Sequence, residues 1–360
     1  MRALVLEDVG QLSIKDTARP SPKSGEVVVR VAACGICGSD IPRAYKDGAH
    51  SMPLIIGHEF AGVVEEAGAG VDDTWVGKRV GVFPLIPCQT CNCCAIRKYE
   101  MCKNYSYLGS RVDGGFAEYV AVPEWNLIEL PDKVSMSQAA MLEPMSVAVH
   151  AIRQVLSRGD MRRDIDTSAA NIMVMGLGTI GLMVTMFLKD MGYKNVYTVG
   201  NKATQKRMAK SLGVDEEHYL DAFDMEPGKW ISDKTKGLGV DIFFECIGSV
   251  ESLSTGIAAA SCSGVVCTVG NPHSDMALPR EIYWKILRHQ LTLVGTWNSS
   301  FTHEPDDDWH YVLGRLQQGG ISPETLITHK YPLSDIVNGF EIMLDKREEY
   351  VKVMAEITVE

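Results

Sequence analysis

Apolar and polar positions alternate along "MRALVLEDVGQLSI" at the N-terminus, the two-residue period of a half-buried strand. From Asn171 the pattern changes. An apolar run, "IMVM", meets the glycines of "GLGTIG"; a stretch of helical period follows, then a second apolar run, "NVYTV". Further short apolar runs stand at "VDIFFECIG", "GVVCTVG" and "LTLVGTW". Apolar strands alternating with helical segments predict a doubly wound parallel sheet, an α/β architecture. With 360 residues the chain is too long for one small core, so two domains are expected.

The glycine cluster narrows the function. Gly176, Gly178 and Gly181 form G-x-G-x-x-G between a predicted strand and a predicted helix, the context in which this motif holds a dinucleotide. Gly176 gives the tight turn, Gly178 admits a pyrophosphate to the backbone, and Gly181 lets helix and strand pack closely. Thr179 and Ile180 open the helix, whose free N–H groups face the phosphates. Where the second strand ends, an NAD site carries an acid for the ribose 2′-hydroxyl. Here the residues are Gly200, Asn201 and Lys202, with Lys206 and Arg207 a turn later. The missing carboxylate and the nearby cations favour NADP over NAD, although these lysines also suit the solvated face of a helix.

Composition removes several alternatives. Hydrophobic residues make up 46% and charged residues 22%, as in an ordinary soluble enzyme. The net charge of −11 argues against a nucleic-acid partner, since phosphate neutralisation needs a basic face. No window approaches the roughly 20 apolar residues of a membrane span, and the N-terminus lacks a signal-peptide run. A cytoplasmic location with reduced thiols follows as the expectation. The charged stretch "SRGDMRRDIDTSAAN" before the first strand of the parallel sheet reads as a surface loop.

Five of the ten cysteines fall within residues 88–102, "CQTCNCCAIRKYEMC". Reduced thiols argue against disulfides, and no strand–helix setting supports a redox pair. Cys88, Cys91, Cys94 and Cys102 give C-x2-C-x2-C-x7-C, a spacing that can enclose zinc with four thiolates; spacing alone admits Cys93 in place of Cys94. Such a closed site is structural. A second, open site is offered by Cys37 in "ACGICGSD", His58 and Glu59 in "IIGHEFAGVV", and Glu143 in "AAMLEPMSVAVH". One cysteine, one histidine and one carboxylate leave a coordination position for water or substrate. A packed cysteine and a surface His-Glu pair would give the same residues without a metal.

Together these segments resemble the zinc-dependent medium-chain alcohol/polyol dehydrogenases. "GHEFAGVVEEAGAGV" is similar to their zinc signature G-H-E-x2-G-x5-G-x2-V, and "CGICGSD", the cysteine lobe and "GLGTIG" follow in the same order. The resemblance implies a GroES-like, mostly-β catalytic domain over residues 1–150, a Rossmann domain over 151–296, and a segment 297–360 that completes the first. It implies a structural zinc on Cys88, Cys91, Cys94 and Cys102, with Cys93 spare. A catalytic zinc would sit on Cys37, His58 and Glu143, with Glu59 a ligand that members exchange with water or Glu143. Ser39 would pass the alcohol proton toward solvent. "GSDIPRAYKDGAHSMPLIIGHEF", "PLIPCQTC" and "YLGSRVDGGFAEY" look most like the branch that oxidises a phosphorylated hexitol such as galactitol 1-phosphate. Those relatives carry an aspartate where Gly200 stands; "GNK" looks more like the Gly-Ser-Arg turn of NADP-linked secondary alcohol dehydrogenases. Arg43, Lys46, His50 and Arg111 are the cations that could meet a substrate phosphate. A homodimer or homotetramer acting on a small polyol or polyol phosphate is the implied assembly. A sorbitol- or threonine-type dehydrogenase is the alternative, and the retained Cys37, His58 and Glu143 count against a zinc-free nucleotide-binding relative.

Overall fold

A strand of eleven residues, Glu26–Ile36, is the hub of the first half of the protein. The computed structural model describes residues 1–157, 168–272 and 274–358 in two compact units, Met1–Ser146 with Ser299–Glu360, and Val147–Asn298. The charged stretch 158–167 lies outside the described residues. Among those described, no helix is long and apolar enough to cross a membrane.

In the first unit the hub pairs antiparallel with Glu59–Ala67, Tyr119–Pro123 and Lys352–Glu356. Arg79–Val82 and Leu127–Glu129 extend the sheet on one side, and Ile327–Pro332 runs parallel to Lys352–Glu356 on the other. Val27, Val29, Val31, Phe60, Phe116, Phe340 and Val353 pack its core. The predicted N-terminal strand forms as Arg2–Asp8, in a hairpin with Gln11–Asp16. Register brings three distant segments together: Gly35 stands opposite Glu59, and Ile36 opposite Val353. The end of the hub, just before Cys37, the strand start after His58, and Lys352 therefore meet at one edge. A Cβ at Gly35 would run into the Glu59 carboxylate, which Lys352 holds in place.

The second unit is the expected doubly wound sheet. Six parallel strands lie in the order Tyr219–Asp221, Asn195–Gly200, Asn171–Met175, Val240–Glu245, Ala260–Thr268, Thr292–Gly295. The order reverses beside Asn171–Met175, and such a switch point opens a crevice at the carboxyl ends of the strands. Five of the six strands match the apolar runs; the three-residue edge strand Tyr219–Asp221 carries too short a pattern to read.

Candidate metal centres and dinucleotide crevice

Among the described residues, two groups of ligand-bearing side chains gather with all ligand atoms within 4.8 Å. The first is Cys88, Cys91, Cys94 and Cys102. A short helical turn, Asn92–Ala95, directs Cys94 inward while Cys93 turns toward Asn92. Sγ of Cys91 lies 3.6 Å from that of Cys94 and 3.9 Å from that of Cys102. A zinc–sulfur bond of about 2.3 Å in a tetrahedron separates sulfurs by about 3.8 Å, so the lobe has the dimensions of a four-thiolate zinc site. All ten cysteines are free. Hydrogen bonds around Thr90 pull the Cys88 thiol down to about 5, whereas burial and the neighbouring Cys91 push Cys94 up to about 12. Arg97 ties the lobe to the C-terminal segment through Glu304, at 2.7 Å, and the carbonyl of Thr302, at 2.6 Å.

The second group is Cys37, His58 and Glu59. Glu143 stands one step away at the start of the helix Leu142–Leu156, where it accepts a hydrogen bond from Tyr107 Oη at 3.2 Å. Burial, then the charge of Glu59, raises the Glu143 carboxyl to about 7, against the opposing pull of His58 and Lys352. Ser39 donates to Cys37 Sγ at 3.3 Å.

Two members of this centre escaped the sequence reading. Asp40 is fully buried, accepts the backbone N–H of Cys37 at 3.0 Å, and pairs with Arg43. Its Oδ1 also lies 3.4 Å from His58 Nδ1, an electrostatic contact that falls short of hydrogen-bond alignment. The other is Lys352, which is buried, donates to the carbonyl of Ile36 at 3.0 Å and forms an ion pair with Glu59. Burial disfavours charge on both His58 and Lys352, yet Asp40 and Cys37 hold the imidazole pKa well above its ordinary value, and Glu59 raises that of the ammonium. The acidic groups Asp40 and Glu59 thus favour positive charge in this buried cluster, and Arg43 and Lys352 answer them. The only sequence cues were an acid three residues past Cys37 and a single lysine inside "YVKVMAEI".

A polar cavity of about 340 Å³ adjoins this centre, lined by Ser39, Arg43, Asp47, His50 and Ser110 among others. Of the four candidate substrate cations it gathers Arg43 and His50. Lys46 is not in its lining, and the Arg111 guanidinium stacks 4.4 Å over the Tyr105 ring.

In the second unit, Gly176 ends the strand Asn171–Met175 with φ +96°, and Gly178 is the N-cap of the helix Thr179–Asp190, with Thr179 and Ile180 in its first turn. A Cβ on Gly181 would stand 2.0 Å from the carbonyl of Gly176, whereas one on Gly178 would meet no protein atom within 4 Å. The close helix–strand approach and the open face over Gly178 fit a pyrophosphate cradle. Gly200 closes the strand Asn195–Gly200, and Asn201 and Lys202 lead into the helix Ala203–Ser211.

Comparison with known proteins agrees with both halves. Residues 23–132 match the alcohol dehydrogenase GroES-like domain, and residues 179–318 match the zinc-binding dehydrogenase family. Galactitol 1-phosphate 5-dehydrogenase of Escherichia coli K12 is 32% identical over 92% of both chains. This chain belongs to the zinc-dependent medium-chain alcohol/polyol dehydrogenases. A sorbitol dehydrogenase of Arabidopsis thaliana is likewise 32% identical, over 93% of this chain and 90% of its own. The crystal structure of galactitol-1-phosphate dehydrogenase from Escherichia coli superposes with a TM-score of 0.89 at 30% identity, covering 99% of this chain and 100% of the other. A zinc-binding dehydrogenase from Sinorhizobium meliloti 1021, solved with NADP, gives 0.87 at 26% identity and 99% and 98% coverage.

Proposed function

We propose that this dehydrogenase transfers hydride between a polyol phosphate, of the galactitol 1-phosphate kind, and NADP, giving the keto-sugar phosphate. The observation that carries the reading is the open Cys37/His58/Glu59 cluster with a polar cavity beside it. These three side chains would hold the catalytic zinc, with Glu143 as the carboxylate next in reach; Cys88, Cys91, Cys94 and Cys102 would hold the structural one. Bound there, zinc supplies Lewis acidity that lowers the pKa of a substrate hydroxyl, and nicotinamide supplies the hydride acceptor.

The chain's own residues do the rest. Asp40 fixes Cys37 through its N–H and steadies His58 electrostatically, while Lys352 holds one oxygen of Glu59. Ser39, beside Cys37 Sγ and in the wall of the cavity, is placed to carry the alcohol proton outward, with His50 in the same wall as its next station. Arg43 offers the cavity a cation whose orientation Asp40 sets. Asp47 in the same lining, and the commitment of Arg43 to Asp40, favour the second reading: an unphosphorylated polyol substrate, as for the sorbitol dehydrogenase relative.

A panel of galactitol 1-phosphate, galactitol and sorbitol, each assayed with NADP and NAD, separates the two. A charge-assisted phosphate contact is worth about 1.5–3 kcal/mol, so kcat/KM for the phosphorylated hexitol should exceed that for the free hexitol by roughly tenfold to a hundredfold. Equal turnover of both would assign the protein to the unphosphorylated class.

A further inference from the structure

We propose that Gln205 is the residue by which this chain selects between NADP and NAD, acting from the place where NAD-linked relatives carry an acid. The inference rests on reading the Gly176–Gly181 crevice as the dinucleotide site. The space over Gly200 is not empty. A Cβ there would stand 2.7 Å from Gln205 Oε1, 3.0 Å from Tyr219 Oη and 3.2 Å from Leu177 Cδ1. Gln205 lies in the first turn of the helix Ala203–Ser211 and reaches back, so that its Oε1 accepts the N–H of Asn201 at 2.9 Å. Lys202, the N-cap residue, makes no side-chain cap, and the Gln205 carboxamide serves a donor left just outside the helix.

That hydrogen bond fixes the chemistry offered at this corner. With Oε1 held by Asn201, the carboxamide keeps one lone pair on that oxygen and, in its NH₂, two donors. Donors suit the oxygens of a 2′-phosphate. A carboxylate in the same place would accept from a ribose hydroxyl and repel phosphate. Lys206, Arg207 and Lys210 line a cavity of about 270 Å³ on the same helix, beside Tyr219 and Glu216; Lys206 pairs with Glu216 at 3.4 Å, and Arg207 and Lys210 leave a net positive charge there. Two consequences follow. Gly200→Asp alone meets the Gln205 carboxamide, which has to leave Asn201 to make room. Gln205→Glu, by contrast, has the same shape, can keep the Asn201 hydrogen bond and installs the missing charge in one step.

The test is titration of NADPH and NADH into the zinc-loaded full chain, followed by nicotinamide fluorescence. For Gln205→Glu the ratio of NADPH to NADH affinity should fall roughly tenfold or more relative to wild type, the effect of one added charge. Gly200→Asp should gain NADH affinity on a Gln205→Ala background and fail to gain it with Gln205 present. An unchanged ratio in Gln205→Glu overturns the proposal, and so does a Gly200→Asp single variant that binds NADH as well as the double variant. A wild type that already prefers NADH refutes the NADP reading instead; the change of ratio in Gln205→Glu still decides the role of Gln205.

Discussion

Cys37→Ser should lower kcat/KM by at least about a thousandfold, close to 4 kcal/mol of lost transition-state stabilisation, without unfolding the protein. Among the described residues three ligand atoms gather tightly at the open centre, so losing the thiolate that would hold zinc removes one of the two anionic ligands in that cluster. A serine hydroxyl stays protonated near neutral pH and cannot replace that charge. The fold should tolerate the change, because Cys37 follows the hub strand rather than packing within its core, and Asp40 can still cap the backbone N–H at position 37. Initial rates from nicotinamide absorbance, set beside a thermal melt, read both quantities. Activity within tenfold of wild type would remove Cys37 from the ligand set.

The lobe should answer in the opposite way. Cys91→Ser should lower the unfolding midpoint by roughly 5–10 °C, corresponding to about 3 kcal/mol, because the binding energy of a structural zinc is folding energy. The sulfur of Cys91 lies within 4 Å of two partners, and residues 88–102 have few regular elements beyond the turn Asn92–Ala95 and the 3₁₀ turn Tyr99–Met101. Besides a metal, the Arg97 contacts to Glu304 and Thr302 and the packing of Tyr99 on Trp125 tie this segment down. Differential scanning calorimetry, with limited proteolysis of the loop, measures the loss. A melt coincident with wild type, and a loop still resistant to cleavage, would mean that the four cysteines hold no metal.

What the sequence disclosed about these sites divides along physical lines. The parallel sheet was legible because its central strands are buried on both faces and read as continuous apolar runs ended by glycines; Tyr219–Asp221, three residues at an edge, leaves no such trace. Cys37 and His58 stand in glycine-rich turns and were visible as ligand types. Asp40 and Lys352 were not. Lys352 meets Glu59 across 293 residues of chain, and only the register of the antiparallel pairing brings them together. Spacing admits either Cys93 or Cys94; the helical turn that points one inward is local geometry, invisible to a count of intervening residues. Arg43 and His50 share the cavity while Arg111 stacks on Tyr105, because side-chain direction follows from packing and not from residue type. Gln205 shows the same limit: the sequence marks a missing acid at Gly200, but not that a carboxamide fills its place.

Elemental analysis of freshly purified, fully active protein tests the pairing of an open and a closed metal centre most directly. Two zinc ions per chain are expected for wild type, with one retained in Cys37→Ser. A single zinc per chain in fully active wild-type protein, or none, would contradict it.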